Sequence, residues 1–240
     1  AEEDAARLRP LFHGATHVLL VAGLGGGCAA GVAPVVARLA REAGAMVLAF
    51  VTLPFSHEGS RRAQQAGLAV NRLRHLSAGV LALPNDRAAD AAATVWALLS
   101  RPGQLPLSAA DLAGVLGAAG GGAAFARAED DGPNRAAVVV EKLLAQPLLR
   151  GGETLRECAA VLLSVEGPPD LPFLEFRQIS GRLREFCPQA QFVAGASLPP
   201  GGPARLTVSL ITAGQAAAAP APADADDLAG RLAEPGGGPP

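Results

Sequence analysis

Apolar runs alternate with amphipathic stretches along the first hundred residues. Each run is short and bounded by turn residues, which is typical of a strand buried on both faces of a parallel sheet. The amphipathic stretches carry alanine and leucine at helical spacing. The predicted strands are 17–23, 45–55 and 79–86, and the predicted helices are 28–43, 57–76 and a segment that ends near Ser100. This alternation predicts a doubly wound α/β sheet with right-handed connections.

The pattern changes after the sequence RPGQLP at 101–106. A short helix is predicted at 108–116, with Ser108 as its N-cap. The other predicted elements are helices at 134–145 and 171–188 and strands at 120–129, 158–167, 190–198 and 204–214. The last two strands follow each other without a helix between them, which favours a mixed sheet in an α+β domain.

The chain therefore divides into three predicted parts. Residues 1–100 form an α/β domain, and residues 101–214 form a smaller α+β domain. Residues 215–240 are rich in alanine, proline, aspartate and glycine. We expect this last part to be a disordered tail, because nothing in it can bury a core.

Charge and cysteine content exclude several classes of function. The formal net charge is −2, so the chain has no overall basic field to hold nucleic acid or an anionic membrane. No apolar run reaches the roughly 18 residues needed to cross a bilayer, so we expect no direct membrane insertion. The cysteines Cys28, Cys158 and Cys187 are widely spaced and include no CxxC pair. They argue against a disulfide framework or a metal site and favour a reducing cytoplasm.

The glycine-rich turn AGLGGGCAAG at 22–31 is the strongest candidate for chemistry. A glycine turn between a strand and a helix points backbone N–H groups outward, where the helix dipole favours an anion such as phosphate. A tight packing turn without a ligand is the alternative. The letters also fit the dinucleotide pattern G-x-G-x-x-A, which leaves an NAD-type enzyme open. That pattern wants an acidic residue near the end of the second strand, and 45–55 has none.

A longer resemblance extends beyond this turn. The segment at 22–37, AGLGGGCAAGVAPVVA, resembles the signature loop of the tubulin/FtsZ family, and VTLPFSHEGSRR at 51–62 resembles the VTxPFxxEGxxR segment of that family. Further similar segments, in the same order and spacing, are LPND at 83–86, RPG at 101–103, NRAAVVVEKLLAQPLL at 134–149, LEFRQISGRLREF at 174–186, FVAGASL at 192–198 and ARLTVSLITAG at 204–214. The sequence is identified as a member of this family, similar to bacterial FtsZ over about residues 5–214.

The resemblance implies a cytoskeletal cell-division protein that binds GTP and forms head-to-tail filaments, in which one subunit completes the hydrolytic site of the next. It implies a Rossmann-like GTPase domain in 1–100, incomplete here, and an FtsZ-like C-terminal domain in 101–214. The residues that match the GTP/GDP phosphate loop are Gly25, Gly26, Gly27, Cys28, Ala29, Ala30 and Gly31.

Three further residues match positions with functions in the family. Glu58 and Arg62 match the contacts to ribose and phosphates, and Asp111 matches a catalytic carboxylate. Each has a plain structural alternative: Glu58 near the positive end of its helix, Arg62 in solvent, and Asp111 solvated in the first turns of a helix. For Asn85 and Asp86 of the LPND segment, the plain structural alternative is a turn at the end of a strand and a helix cap.

The departures from the family pattern predict weaker nucleotide chemistry. Cys28, Ala29 and Ala30 stand where the family has Thr, Gly and Thr, so two hydroxyl donors are absent. We interpret Cys28 as a small buried packing residue. Ser108 replaces one acid of the catalytic loop, whose other aligned positions are Pro106 and Asp111.

Two segments also differ in length from the family pattern. The resemblance implies that residue 1 corresponds to a position inside the third helix of the family. The stretch before Arg101 is short, which leaves Val95, Trp96 and Leu98 as packing residues of a shortened central helix. We therefore expect GTP binding and hydrolysis to be weakened or lost. The alternative is a non-hydrolysing scaffold or interaction module that self-associates or co-assembles with a full-length FtsZ in the cytoplasm.

Overall fold

The computed structural model describes residues 4–83, 87–100, 105, 108–117, 123–198 and 205–214. Within them it confirms the predicted fold class, a parallel α/β sheet followed by a mixed sheet. Asn85, Asp86, Pro106 and the predicted tail at 215–240 lie outside the described residues. No helix in the described part of the chain is long and apolar enough to cross a membrane.

The first half of the chain builds a three-stranded parallel sheet. Its elements are α1 (Ala5–Leu8) with a 3-10 turn (Arg9–Phe12), β1 (His17–Gly23), α2 (Gly27–Glu42), β2 (Met46–Thr52), a 3-10 turn (Ser56–Glu58), α3 (Ser60–Leu76), β3 (Gly79–Leu83) and α4 (Ala88–Ser100). The strand order is β1-β2-β3, with β2 in the centre. Alternate side chains of β2 pack on opposite faces: Val47, Ala49 and Val51 face α2 and α3, whereas Leu48 and Phe50 face α4.

The prediction that strand 17–23 is buried on both faces is wrong. Within the described residues β1 pairs only with β2 and forms an edge of the sheet. Its side chains are half-buried, and Val21 is 50 % exposed. A continuous apolar run is compatible with an edge strand or a central strand, because it shows that both faces of the strand are apolar and not which strands lie beside it.

The second half builds a four-stranded mixed sheet. Its elements are α5 (Ala109–Gly117), β4 (Ala123–Asp130), α6 (Arg135–Leu144), a 3-10 turn (Arg150–Gly152), α7 (Glu153–Glu157), β5 (Ala160–Glu166), α8 (Phe173–Phe186), β6 (Gln191–Ser197) and β7 (Leu206–Ala213). The strand order is β4-β7-β5-β6, in which β5 and β6 are parallel and β7 is antiparallel to both of its neighbours. The helices α6 and α8 cover one face of this sheet.

The two sheets share one hydrophobic core. Leu112 and Leu116 of α5 pack with Phe50 of the first sheet and Phe125 of the second. At Gly79 a Cβ would lie 2.7 Å from the backbone oxygen of Leu116, so only glycine lets β3 approach α5 this closely. The predicted boundary between residues 100 and 101 stays a prediction.

The remnant of the central helix is only partly a packing element. Val95 and Leu98 of α4 are buried as predicted. Trp96 is 56 % exposed, so the interpretation of this residue as packing is wrong. One helical position separates it from Val95, and that rotation of about 100° carries its ring away from the core.

Candidate functional site

The glycine turn joins the carboxyl end of β1 to the start of α2. Leu24 is fully buried, and its backbone N–H donates to the backbone oxygen of Thr52 at 2.9 Å. This bond continues the pairing of Gly23 with Thr52 and fixes the base of the turn. Gly26 then adopts an extended conformation as the N-cap, and the helix begins at Gly27.

The first backbone donors of α2 are left without acceptors inside the helix. The first helical bond runs from the N–H of Ala30 to the oxygen of Gly26 at 3.3 Å, so the N–H groups of Gly27, Cys28 and Ala29 precede it. No side chain caps this helix start. A Cβ built at Gly26 or Gly27 meets nothing within 4 Å, so no other group covers these two residues on their Cβ side. Open amides at the positive end of a 16-residue helix fit a phosphate group.

The side chains of this turn supply no donor comparable to a hydroxyl. Cys28 is exposed, so its interpretation as a buried packing residue is wrong. Its position in the first turn of α2, before the helix reaches the core, explains the exposure. Ala29 and Ala30 are half-buried, and Gly31 is exposed with open space around it. A bound anion would therefore depend on backbone donors and on the helix dipole.

Glu58 and Arg62 lie beside the glycine turn and bind each other. The N–H of Phe55 donates to Oε1 of Glu58 at 2.9 Å, and Nη1 of Arg62 donates to Oε2 at 2.5 Å. A Cβ built at Gly25 would lie 3.6 Å from Oε2 of Glu58 and 3.3 Å from Cβ of Pro54. The bond from Phe55, followed by that from Arg62, holds the pKa of Glu58 below its ordinary value. The carboxylate next to the turn is thus ionised, and Arg62 offsets its charge.

Asp111 lies in the first turn of α5 and is bound by Ser108. The hydroxyl and the N–H of Ser108 donate to Oδ2 of Asp111 at 2.6 and 3.1 Å, and the N–H of Asp111 donates to Oγ of Ser108 at 3.1 Å. This reciprocal pair is a capping box, which confirms Ser108 as the N-cap. The hydroxyl bond, followed by the backbone bond, lowers the pKa of Asp111. Its catalytic function stays a prediction.

The structure groups some of the predicted site residues and leaves one apart. A Cβ built at Gly25 would contact Glu58, and Glu58 binds Arg62, so the turn and these two side chains form one neighbourhood. Among the described residues, no hydrogen bond or ion pair links Asp111 to that neighbourhood. Sequence analysis missed Pro54 and Thr52, which support the turn. The pairing of the first two strands would have pointed to Thr52, because parallel strands end at the same edge.

Comparison with known families divides the chain in two. A family model described as the GTPase domain of the tubulin/FtsZ family matches residues 1–93. A second model, described as the C-terminal domain of the FtsZ family, matches residues 121–216. The two models together match most of the chain, in the order of its two sheets.

Individual relatives agree with the family models. The chain is 36 % identical to cell division protein FtsZ 2 of Rhizobium meliloti over 206 residues, 76 % of this chain and 59 % of that protein. It is 32 % identical to cell division protein FtsZ 1 of Archaeoglobus fulgidus over 221 residues, 83 % of this chain and 59 % of that protein. The chain thus spans about three fifths of the length of these relatives.

Solved structures show the same architecture. An empty FtsZ dimer from M. jannaschii superposes with a TM-score of 0.73 at 26 % identity, over 89 % of this chain and 67 % of that chain. A GTPγS-bound protofilament of CetZ2 from Haloferax volcanii superposes with a TM-score of 0.66 at 22 % identity, over 89 % and 71 %, and shows the fold alone. Sequence models, relatives and fold lead to one conclusion: the chain belongs to the tubulin/FtsZ family.

Proposed function

We propose that this chain is an FtsZ-type cell-division protein that binds GTP weakly through its phosphates and hydrolyses it slowly or not at all. It assembles head to tail, either with itself or with a full-length FtsZ. The observation that carries the proposal is the start of α2, where three backbone amides precede the first helical hydrogen bond and no side chain caps them. The match to a tubulin/FtsZ GTPase domain supports GTP as the ligand.

Weak binding follows from what surrounds those amides. Cys28, Ala29 and Ala30 contribute no hydroxyl donor, and the carboxylate of Glu58 lies beside the turn. A hydrogen bond to a charged group contributes about 1.5–3 kcal/mol, so two absent hydroxyls weaken phosphate binding by a large factor. Arg62 offers a positive charge, but it shares that charge with Glu58.

Slow hydrolysis follows from the state of Asp111. A carboxylate that activates water on a neighbouring subunit needs free lone pairs toward that water. In this chain Ser108 stands where the family has a second acid, and it holds Oδ2 of Asp111, so a single carboxylate, with Oδ1 as its remaining oxygen, would have to orient the water. This arrangement supports the scaffold as the second candidate function, with the same assembly and no turnover.

A dinucleotide enzyme receives no such support. The strand Met46–Thr52 ends in a threonine, and the described residues that follow it up to Phe55 include no acid for a ribose. NAD therefore serves as a negative control for GTP.

Assembly and turnover are tested together on the purified chain. We expect millimolar GTP, but not NAD, to increase the fraction that sediments, with phosphate release close to the uncatalysed rate. Asp111→Asn is the matched variant, and we expect it to sediment like the parent chain. Sedimentation that is the same with and without GTP would contradict the proposal. Rapid phosphate release that Asp111→Asn abolishes would contradict the slow turnover and make Asp111 a catalytic residue.

A further inference from the structure

A second cleft lies at the opposite end of the first sheet from the glycine turn. It has a volume of about 350 Å³ and lies where the start of β2 meets the end of α3. Its apolar wall includes Met46, Val47 and Leu76, and Arg41 and His75 stand at its rim. We call it the amino-end cleft, because the parallel strands begin there.

The rim of the amino-end cleft is cationic. Nη1 of Arg41 donates to the backbone oxygen of His75 at 2.7 Å, which holds the guanidinium at the entrance. The last two turns of α3 carry Arg72 and Arg74 and no acid. Glu42, next to Arg41, is paired with Arg9 and Arg38, each at 3.0 Å. The carboxylate closest in sequence to the rim is therefore already neutralised.

The cleft also contains an unused hydrogen-bonding group. The hydroxyl oxygen of Ser77, which lines the cleft, is buried and has no partner among the described residues. A buried polar atom without a partner is unfavourable, and an occupant with a carbonyl or carboxylate oxygen would satisfy it. The cleft thus suits an occupant with an apolar side chain flanked by acids.

The chain contains such a segment outside the described residues. The sequence ADADDLAGRLAE at 223–234 has four acids and one arginine. Leu228 directly follows Asp226 and Asp227, so one apolar side chain stands beside two carboxylates. Charge and polarity are therefore complementary to the rim and wall of the amino-end cleft.

The described chain ends close enough for this segment to reach the cleft. A Cβ at Gly214 would lie 2.4 Å from the backbone nitrogen of Ala159, whose oxygen accepts the N–H of Gln191 at 2.9 Å. The side chain of Gln191 contacts Gly114 of α5, and Gly117 of the same helix lies against Ala78, which lines the cleft. The 12 residues from Gly214 to Asp226 can extend to about 40 Å, which exceeds this short path.

We propose that the segment 223–234 docks in the amino-end cleft of its own chain. Leu228 enters the apolar wall, Asp226 and Asp227 face Arg41 and His75, and Ser77 donates to an oxygen of the segment. The docked segment covers the amino ends of the strands and leaves the glycine turn at the other end free.

Hydrogen–deuterium exchange on the full chain tests the docking. We expect slow exchange at 226–230 and at 75–79, and at least threefold faster exchange at both places in Leu228→Ser. Arg41→Glu is expected to have the same effect, and the double variant Arg41→Glu/Asp227→Arg is expected to restore the protection by exchanging the charges. Arg61→Glu, about 20 Å away along α3, is the matched control and is expected to leave both segments unchanged.

Three results would overturn the docking. Exchange that is unchanged by Leu228→Ser would show that Leu228 does not contact the cleft. A double variant that exchanges as fast as Arg41→Glu would show that Arg41 and Asp227 do not pair. Protection that disappears on dilution would place the segment on a second copy of the chain. A melting temperature that is equal in parent and tail variants confirms that any change in exchange is local.

Discussion

Two helix starts in this molecule carry the phosphate-loop match and the catalytic match, and they differ in how their backbone donors are used. At α2 the N-cap is Gly26, and three amides precede the first helical hydrogen bond without a side-chain cap. At α5 the hydroxyl of Ser108 and the carboxylate of Asp111 complete each other. Both helix starts carry positive partial charge, but at α5 the carboxylate of Asp111 lies against the helix start and disfavours an external anion, whereas no side chain caps α2. The contrast teaches that a residue that matches the family's nucleotide site keeps its function only where its hydrogen-bonding groups remain free for a ligand.

The largest expected effect comes from adding hydroxyls at α2. In Cys28→Thr/Ala30→Thr the start of α2 regains two donors for phosphate. We expect the affinity for GTP to rise by about tenfold or more, since one bond to a charged group contributes about 1.5–3 kcal/mol. Isothermal titration with GTP measures it.

The control for the hydroxyl variant is Ala63→Thr, an exposed alanine in the first turn of α3. It is expected to leave the affinity unchanged. An affinity that rises equally in the control, or not at all in the double variant, would show that the start of α2 does not hold the phosphates.

The next effect comes from closing α2 in the way α5 is closed. In Gly26→Asp a carboxylate caps the free amides, and the open space at Gly26 accepts the side chain. We expect GTP affinity to fall by about tenfold, or about 1.4 kcal/mol, while the free energy of unfolding rises by a few tenths of a kcal/mol. Asn has nearly the same shape as Asp but no charge. Gly26→Asn therefore caps the helix without adding charge and separates the effect of capping from the effect of charge. Unchanged GTP affinity in both variants would contradict the account.

A smaller effect is expected from opening α5. Ser108→Ala removes the acceptor of the Asp111 N–H and should lower the free energy of unfolding by about 1 kcal/mol. Urea denaturation measures this change. Ser60→Ala is the matched control, because the N-cap of α3 is Gly59 and no side chain caps that helix. Equal losses in the two variants would show that the capping box has no special weight.

The strands and most of the helices could be predicted from the sequence, because short apolar runs bounded by turn residues indicate strands and apolar residues at helical spacing indicate helices. The short helix Glu153–Glu157 was missed, since RGGETLREC has too few apolar positions to show a period. The exposure of Cys28 and Trp96 was also missed, because it depends on which side of the helix faces the core.

The two helix starts differ in how far the sequence predicted them. Ser108 followed three residues later by Asp111 is a spacing that predicts a capping box, and only the cap itself was inferred from it. The contact of Glu58 with Gly25 joins residues 33 positions apart and depends on the pairing of two strands. No local pattern contains that information.

The smallest effect is a change with pH at α5. Because the bonds from Ser108 lower the pKa of Asp111, the folded state holds this carboxylate ionised more strongly than the unfolded chain does. Its contribution to stability is complete above the ordinary aspartate pKa of about 3.9 and is lost as the pH falls through the lowered value. Asp111→Asn should therefore flatten the loss of stability below about pH 4, measured by denaturant titrations. An identical slope in both proteins would contradict the bonding at Asp111.

The most direct test of the account compares GTP with guanosine by thermal unfolding, in the parent chain and in Gly26→Asp. We predict that GTP at about ten times its dissociation constant stabilises the parent chain by about 1.4 kcal/mol. Guanosine, which lacks phosphates, should have no effect at the same concentration, and the tenfold weaker binding in Gly26→Asp should reduce the stabilisation by GTP to about 0.4 kcal/mol. Equal stabilisation by guanosine, or an undiminished response to GTP in Gly26→Asp, would contradict a phosphate site at the start of α2.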